Sequence, residues 1–90
     1  MENNKKIKDP FLYNAPILDL HGEIYETSKV LTKMFIDDNV KLKNKLLVII
    51  HGKGKGIVKE AVYSELKVNK YVLNYKTDNF NDGMTIVNLK

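Results

Sequence analysis

Ninety residues, 43% of them hydrophobic and 29% charged, make a single globular domain: a chain this short buries only about 60–65% of its unfolded surface and cannot divide that burial between two cores. Multidomain enzymes are thereby excluded, and the absence of cysteine rules out a disulfide framework, a thiolate metal site and a cysteine nucleophile. Fifteen positive side chains, every one a lysine, stand against eleven carboxylates for a net charge of +4, which favours a polyanionic partner unless lysine abundance merely follows genome composition.

Residues 1–15 read as a polar N-terminal arm carrying one apolar cluster, Phe11-Leu12-Tyr13, between Pro10 and Pro16, whose spacing discourages a helix. The arm is either a tail packed at the domain's edge or a partner-docking segment. It lacks the apolar stretch and small-residue cleavage site of a secretory signal. No run in the chain approaches the roughly 18–20 apolar residues that cross a bilayer. A cytoplasmic, soluble protein with no membrane partner is the expectation.

The domain proper is expected over residues 16–90. Pro16 to Leu20 reads as a short strand stopped by His21-Gly22. From Glu23 to about Asn39, Ile24, Leu31, Met34 and Phe35 recur at three- and four-residue steps, with Thr27 and Ser28 on the same face, which predicts an amphipathic helix. Leu46 to Ile50 is a continuous apolar run, the mark of a central strand covered on both faces, and it ends at His51-Gly52. A second helix begins near Ile57, with Ile57, Val58, Ala61, Val62 and Leu66 inward. Tyr71 to Lys76 is a third strand, joined by a polar turn through Asp78–Gly83 to a last strand, Met84 to Leu89. The order βαβαββ predicts an α/β two-layer sandwich, a mixed four-stranded sheet with both helices on one face and the other face open to solvent or a partner.

The two histidines, His21 and His51, share one context: a strand end, then glycine, then a helix. Neighbouring strands would bring both imidazoles to one carboxyl edge, where ligands of open α/β sheets bind; packing alone would also account for either ring. Asp19 lies two residues before His21 and therefore on the same strand face, where it can orient the imidazole, stabilise its charged form or hold a cation. A water-facing edge carboxylate is the plainer alternative. In His51-Gly52-Lys53-Gly54-Lys55-Gly56, alternate glycines let backbone N–H groups approach a phosphate, a helix N-terminus adds partial positive charge and two lysines add full charges. The run fits neither the Walker A loop nor the dinucleotide fingerprint. Together these parts suit general acid–base cleavage of a phosphodiester. RNA brings its own 2′-hydroxyl nucleophile, whereas DNA would call for activated water and a divalent ion such as magnesium.

These residues resemble the Smr (small MutS-related) domain family. Leu18-Asp19-Leu20-His21-Gly22 matches its LDLHG motif, and Ile50-His51-Gly52-Lys53-Gly54 matches its glycine-centred motif in the HGKG form, with Gly56 continuing it. The resemblance implies a fold similar to the C-terminal domain of translation initiation factor three, nucleic-acid binding, and endonuclease activity on RNA or nicking of DNA, with the ribosome as a partner in some bacterial members. By that similarity Asp19 and His21 carry catalysis, His21 as general base or acid, while Gly22 and His51 through Gly56 hold the substrate backbone. Val58-Lys59 stands where the family usually has Leu-Arg, which adds Lys59 to the phosphate-binding set, and Phe80 to Thr85 replaces a glycine-rich run. The alternatives are a non-catalytic nucleic-acid or ribosome-binding module and, further off, a mononucleotide or phosphate-ester enzyme.

Overall fold

The computed structural model describes residue 12 and residues 14–90, and in it the chain runs β1 (Ile17–Asp19), α1 (Tyr25–Lys41), β2 (Leu46–Ile50), α2 (Ile57–Val68), β3 (Val72–Thr77) and β4 (Met84–Leu89). The sheet order is β1-β2-β4-β3. β1 pairs parallel with β2 in the register Asp19↔Ile50, and the ladder extends past β1 at both ends, where Val48 N–H donates to the Pro16 carbonyl and Leu20 N–H to the Ile50 carbonyl. β4 lies antiparallel between β2 and β3. The predicted α/β sandwich with a mixed four-stranded sheet is therefore the observed one, and β2, β4 and the start of α2 have the predicted bounds.

Period-two alternation along β2 and β4 sorts their side chains onto two faces. Leu47, Ile49, Val87 and Leu89 point to the helical layer and pack with Ile36 of α1 and with Val62 and Leu66 of α2. The opposite face carries Val48, Ile50, Met84 and Ile86, and it is not open as the element order suggested. All four are buried, and Leu12 is buried with them. Leaving four such side chains in water would forgo about 1.5–3 kcal/mol each, which is reason enough for a segment preceding β1 to cover them. Of the expected arm, residues 1–11 and 13 lie outside the described residues.

The inward faces of both helices differ from the expected ones. α1 buries Ser28, Thr32, Ile36 and Asn39, whereas Ile24 and Met34 are exposed. Two of the polar residues on this face are satisfied by the helix itself, Thr32 Oγ1 donating to the Ser28 carbonyl and Asn39 Nδ2 to the Phe35 carbonyl, each at 2.8 Å, whereas the buried Ser28 hydroxyl has no partner among the described residues. In α2, Ala61, Val62 and Leu66 are buried as expected, but Ile57 is exposed at the first turn. Among the described residues no helix is long and apolar enough to cross a membrane.

Candidate functional site

The β1–β2 register decides where the chemistry-bearing residues meet. With Asp19 opposite Ile50, the turn after β1 lies beside the loop after β2, so closely that a Cβ placed on Gly52 would stand 3.5 Å from His21 Cβ. Gly22, Gly52 and Gly56 all have φ of +82°, the left-handed region in which a side chain is strained. Those turns deliver His21 and the 52–56 loop to one groove of about 630 Å³, lined by segments 21–25 and 51–58.

Asp19 and His21 form a close pair. Asp19 Oδ1 accepts from the His21 backbone N–H at 3.2 Å and stands 2.6 Å from His21 Nδ1. A carboxylate oxygen can only accept here, so Nδ1 carries a proton and, in the neutral ring, the lone pair sits on Nε2. The His21 side chain is 67% exposed, against 25% for Asp19. The arrangement therefore presents Nε2 to whatever occupies the groove.

His51 behaves differently although its strand end is adjacent. Its ring is buried, Nδ1 faces the Gly52 carbonyl at 3.0 Å and Nε2 faces Thr85 Oγ1 at 2.8 Å. The carbonyl accepts, so Nδ1 is the donor, and His51 Nε2 and the Tyr63 hydroxyl both lie within hydrogen-bond reach of the Thr85 hydroxyl. Burial is the main cause that lowers the His51 pKa; the Lys59 charge lowers it further, while the Gly52 bond and Asp82 oppose. The two imidazoles reach the same edge and both line the groove, but they differ in exposure: His21 is open to it, whereas His51 is buried and held by its Gly52 and Thr85 contacts. Thr85 stands 3.2 Å from the Tyr63 hydroxyl, which is itself 2.8 Å from Thr77 Oγ1.

The loop rests on a second support. The Gly83 carbonyl accepts from the N–H groups of both His51, at 2.9 Å, and Gly52, at 3.0 Å. A Cβ on Gly83 would stand 3.1 Å from Asn81 Oδ1, 3.2 Å from Lys53 Cγ and 3.3 Å from the Gly52 backbone, so any larger residue there would have to push these neighbours by a few tenths of an ångström. Asp78, buried, shapes the turn by accepting from the N–H groups of Phe80 and Asn81. Thr85, Tyr63, Gly83 and Asp78 were not singled out from sequence. For Thr85 and Asp78 a signal exists, a hydroxyl inside an apolar strand and an Asx-turn residue opening a polar turn, and for Gly83 its place in the run that replaces the family's glycine-rich segment; for Tyr63 none does, because its role arises across the fold.

Lys53 and Lys55 are exposed at the groove, and Lys53 Nζ is 3.5 Å from Asp82 Oδ1 in an ion pair open to solvent, worth little. Lys59 is not among the groove-lining residues; its ammonium lies 5.4 Å from the Tyr63 ring centroid. The structure thus brings together Asp19, His21, Gly22 and the backbone from His51 to Gly56, and leaves Lys59 to one side. Among the described residues no group of three or more histidine or acidic side chains is placed to hold a metal.

The Smr domain family model matches residues 18–90. Proteins named endonuclease MutS2 are similar as well: that of Halothermothrix orenii is 37% identical over 79 residues, that of Ligilactobacillus salivarius 38% over 79, and that of Geobacillus sp. strain WCH70 40% over 76. The first two matches cover 84% of this chain and the third 81%, but the chain spans only about 10% of the length of each of these curated relatives. Among solved structures, the Smr domain of Thermus thermophilus MutS2 is similar with a TM-score of 0.81 at 23% identity, covering 84% of this chain and 99% of that one; at that identity the likeness speaks for the fold.

Proposed function

The chain belongs to the Smr domain family, and from that premise we propose that its residues 16–90 form a nucleic-acid endonuclease domain that cleaves RNA. The observation that carries the reading is the 2.6 Å Asp19–His21 contact on an imidazole that stays exposed beside a lysine–glycine loop. A carboxylate that fixes the Nδ1–H tautomer leaves Nε2 able to take a proton. In RNA, Nε2 of His21 removes the proton of a 2′-hydroxyl, whose oxygen attacks the adjacent phosphorus. The bond from phosphorus to the 5′-oxygen breaks, that oxygen leaves with a proton from solvent, and the products are a 2′,3′-cyclic phosphate and a 5′-hydroxyl. Lys53, Lys55 and the glycine N–H groups offset the charge that builds on the phosphate oxygens. A ribosome-bound message is one form in which such a substrate would be presented.

The test is incubation of the protein with labelled single-stranded RNA and with supercoiled DNA, each with magnesium and with a chelator. Cutting of RNA in both conditions is the expected result. Binding without cutting would leave a non-catalytic module instead. The loop makes its own prediction: Lys53→Ala with Lys55→Ala should weaken single-strand binding about equally for unrelated sequences. It should also lower the slope of log affinity against log salt by about 1.4, roughly 0.7 for each lost phosphate contact, as read by titration over a series of salt concentrations.

A further inference from the structure

The groove beside His21 has an apolar wall that phosphate binding does not require. Ile24, immediately before α1, is 62% exposed, and Ile57, the first residue of α2, is 54% exposed. Tyr25, the first residue of α1, lines the same groove, its hydroxyl donating to Ser64 Oγ on α2 at 3.4 Å. N-caps favour short polar side chains, so isoleucine as the N-cap of α1 is not explained by helix chemistry, and Ile57 follows the glycine N-cap of α2 without serving as a cap itself. Neither isoleucine is explained by the core, from which both side chains are excluded.

We propose that Ile24, Tyr25 and Ile57 seat an unpaired base of the nucleic acid whose phosphates lie on the 52–56 loop, which makes single-stranded RNA the substrate class. This deepens the endonuclease reading and rests on it for the identity of the polymer. The charge pattern points to this occupant. Lys55 is two residues before Ile57, so cationic and apolar surfaces adjoin within one loop, matching a nucleotide, which is anionic at one end and flat and apolar at the other. A groove of about 630 Å³ is within the range that encloses a small organic group. A base inside a duplex has its faces stacked and its edges paired and cannot enter; proteins reach RNA bases where these are splayed out.

The test uses the full chain and fluorescence anisotropy with three probes of equal length: a single-stranded RNA, its abasic counterpart and an RNA duplex. Ile24→Ala combined with Ile57→Ala trims side chains that are more than half exposed, and it should weaken single-strand binding about tenfold. The abasic strand should bind wild type and variant equally, both more weakly than the parent strand binds wild type. Equal affinity of variant and wild type for the RNA, or a duplex bound as tightly as the single strand, overturns the base seat and leaves the wall as a protein-docking surface. Since the readout is binding, a domain that passes and cuts nothing keeps the base seat and loses the nuclease; one that cuts RNA yet ignores both substitutions does the reverse.

Discussion

His21→Ala should lower the rate of RNA cleavage by about 10²–10⁴-fold, the range a positioned proton-transfer group contributes, while leaving fold and RNA affinity nearly unchanged. The fold should survive because the side chain is largely exposed and supports no core residue. Affinity should survive because the proposed reading assigns the phosphates to the lysines and glycines of the 52–56 loop and not to the imidazole. Asp19→Asn tests the other half of the pair. The amide can still reach Nδ1 but brings no charge and can present N–H where an acceptor is needed, so its activity should fall between wild type and His21→Ala. Single-turnover cleavage with a binding titration on the same preparations separates these effects. Full activity in both variants would remove the assignment.

The second large effect belongs to the other histidine and falls on stability. His51→Ala deletes a buried ring and leaves the Gly52 carbonyl without the ring partner seen at 3.0 Å, while the Thr85 hydroxyl loses its 2.8 Å partner and keeps only Tyr63 at 3.2 Å. A cost of about 2–4 kcal/mol follows from the lost packing and the lost hydrogen bonds, a large part of what a domain this size possesses. Urea unfolding gives the difference. Its pH dependence carries a sign: the folded-state pKa of His51 is lowered, so below the ordinary value of about 6.5 the unfolded chain binds more protons than the folded one. The contribution is complete above that value and is lost as pH falls from there toward the folded pKa. The stability gap between wild type and His51→Ala should therefore narrow on acidification. A gap that widened would show that the ring is charged in the folded protein.

How far these features could be read without coordinates varied with the kind of interaction that sets them. The bounds of β2 and β4 were legible because each is an apolar run closed by turn residues, and the start of α2 because Gly56 precedes it. The Asp19–His21 pair was legible from spacing, since period two puts the residues on one face and the turn does the rest. The buried face of α1 was legible only in part: Ser28, Leu31 and Phe35 do turn to the core, but Thr32 and Asn39 are polar by composition and satisfied within the helix itself, and apolar periodicity therefore favoured Ile24 and Met34, which are exposed. The covering of the second sheet face depends on Leu12, whose segment shows no periodicity to read. The divergence of the two histidines depends on Thr85 and Gly83, more than thirty residues away in the chain and adjacent only through the β2–β4 register.

The most direct measurement is the chemical identity of the ends that the protein leaves on a defined single-stranded RNA in the presence of a chelator. An imidazole acting on the 2′-hydroxyl predicts fragments ending in a 2′,3′-cyclic phosphate and beginning with a 5′-hydroxyl, both lost in His21→Ala. Fragments with 3′-hydroxyl and 5′-phosphate ends would mean that water, not the ribose, attacked the phosphorus, and would contradict the role assigned to His21.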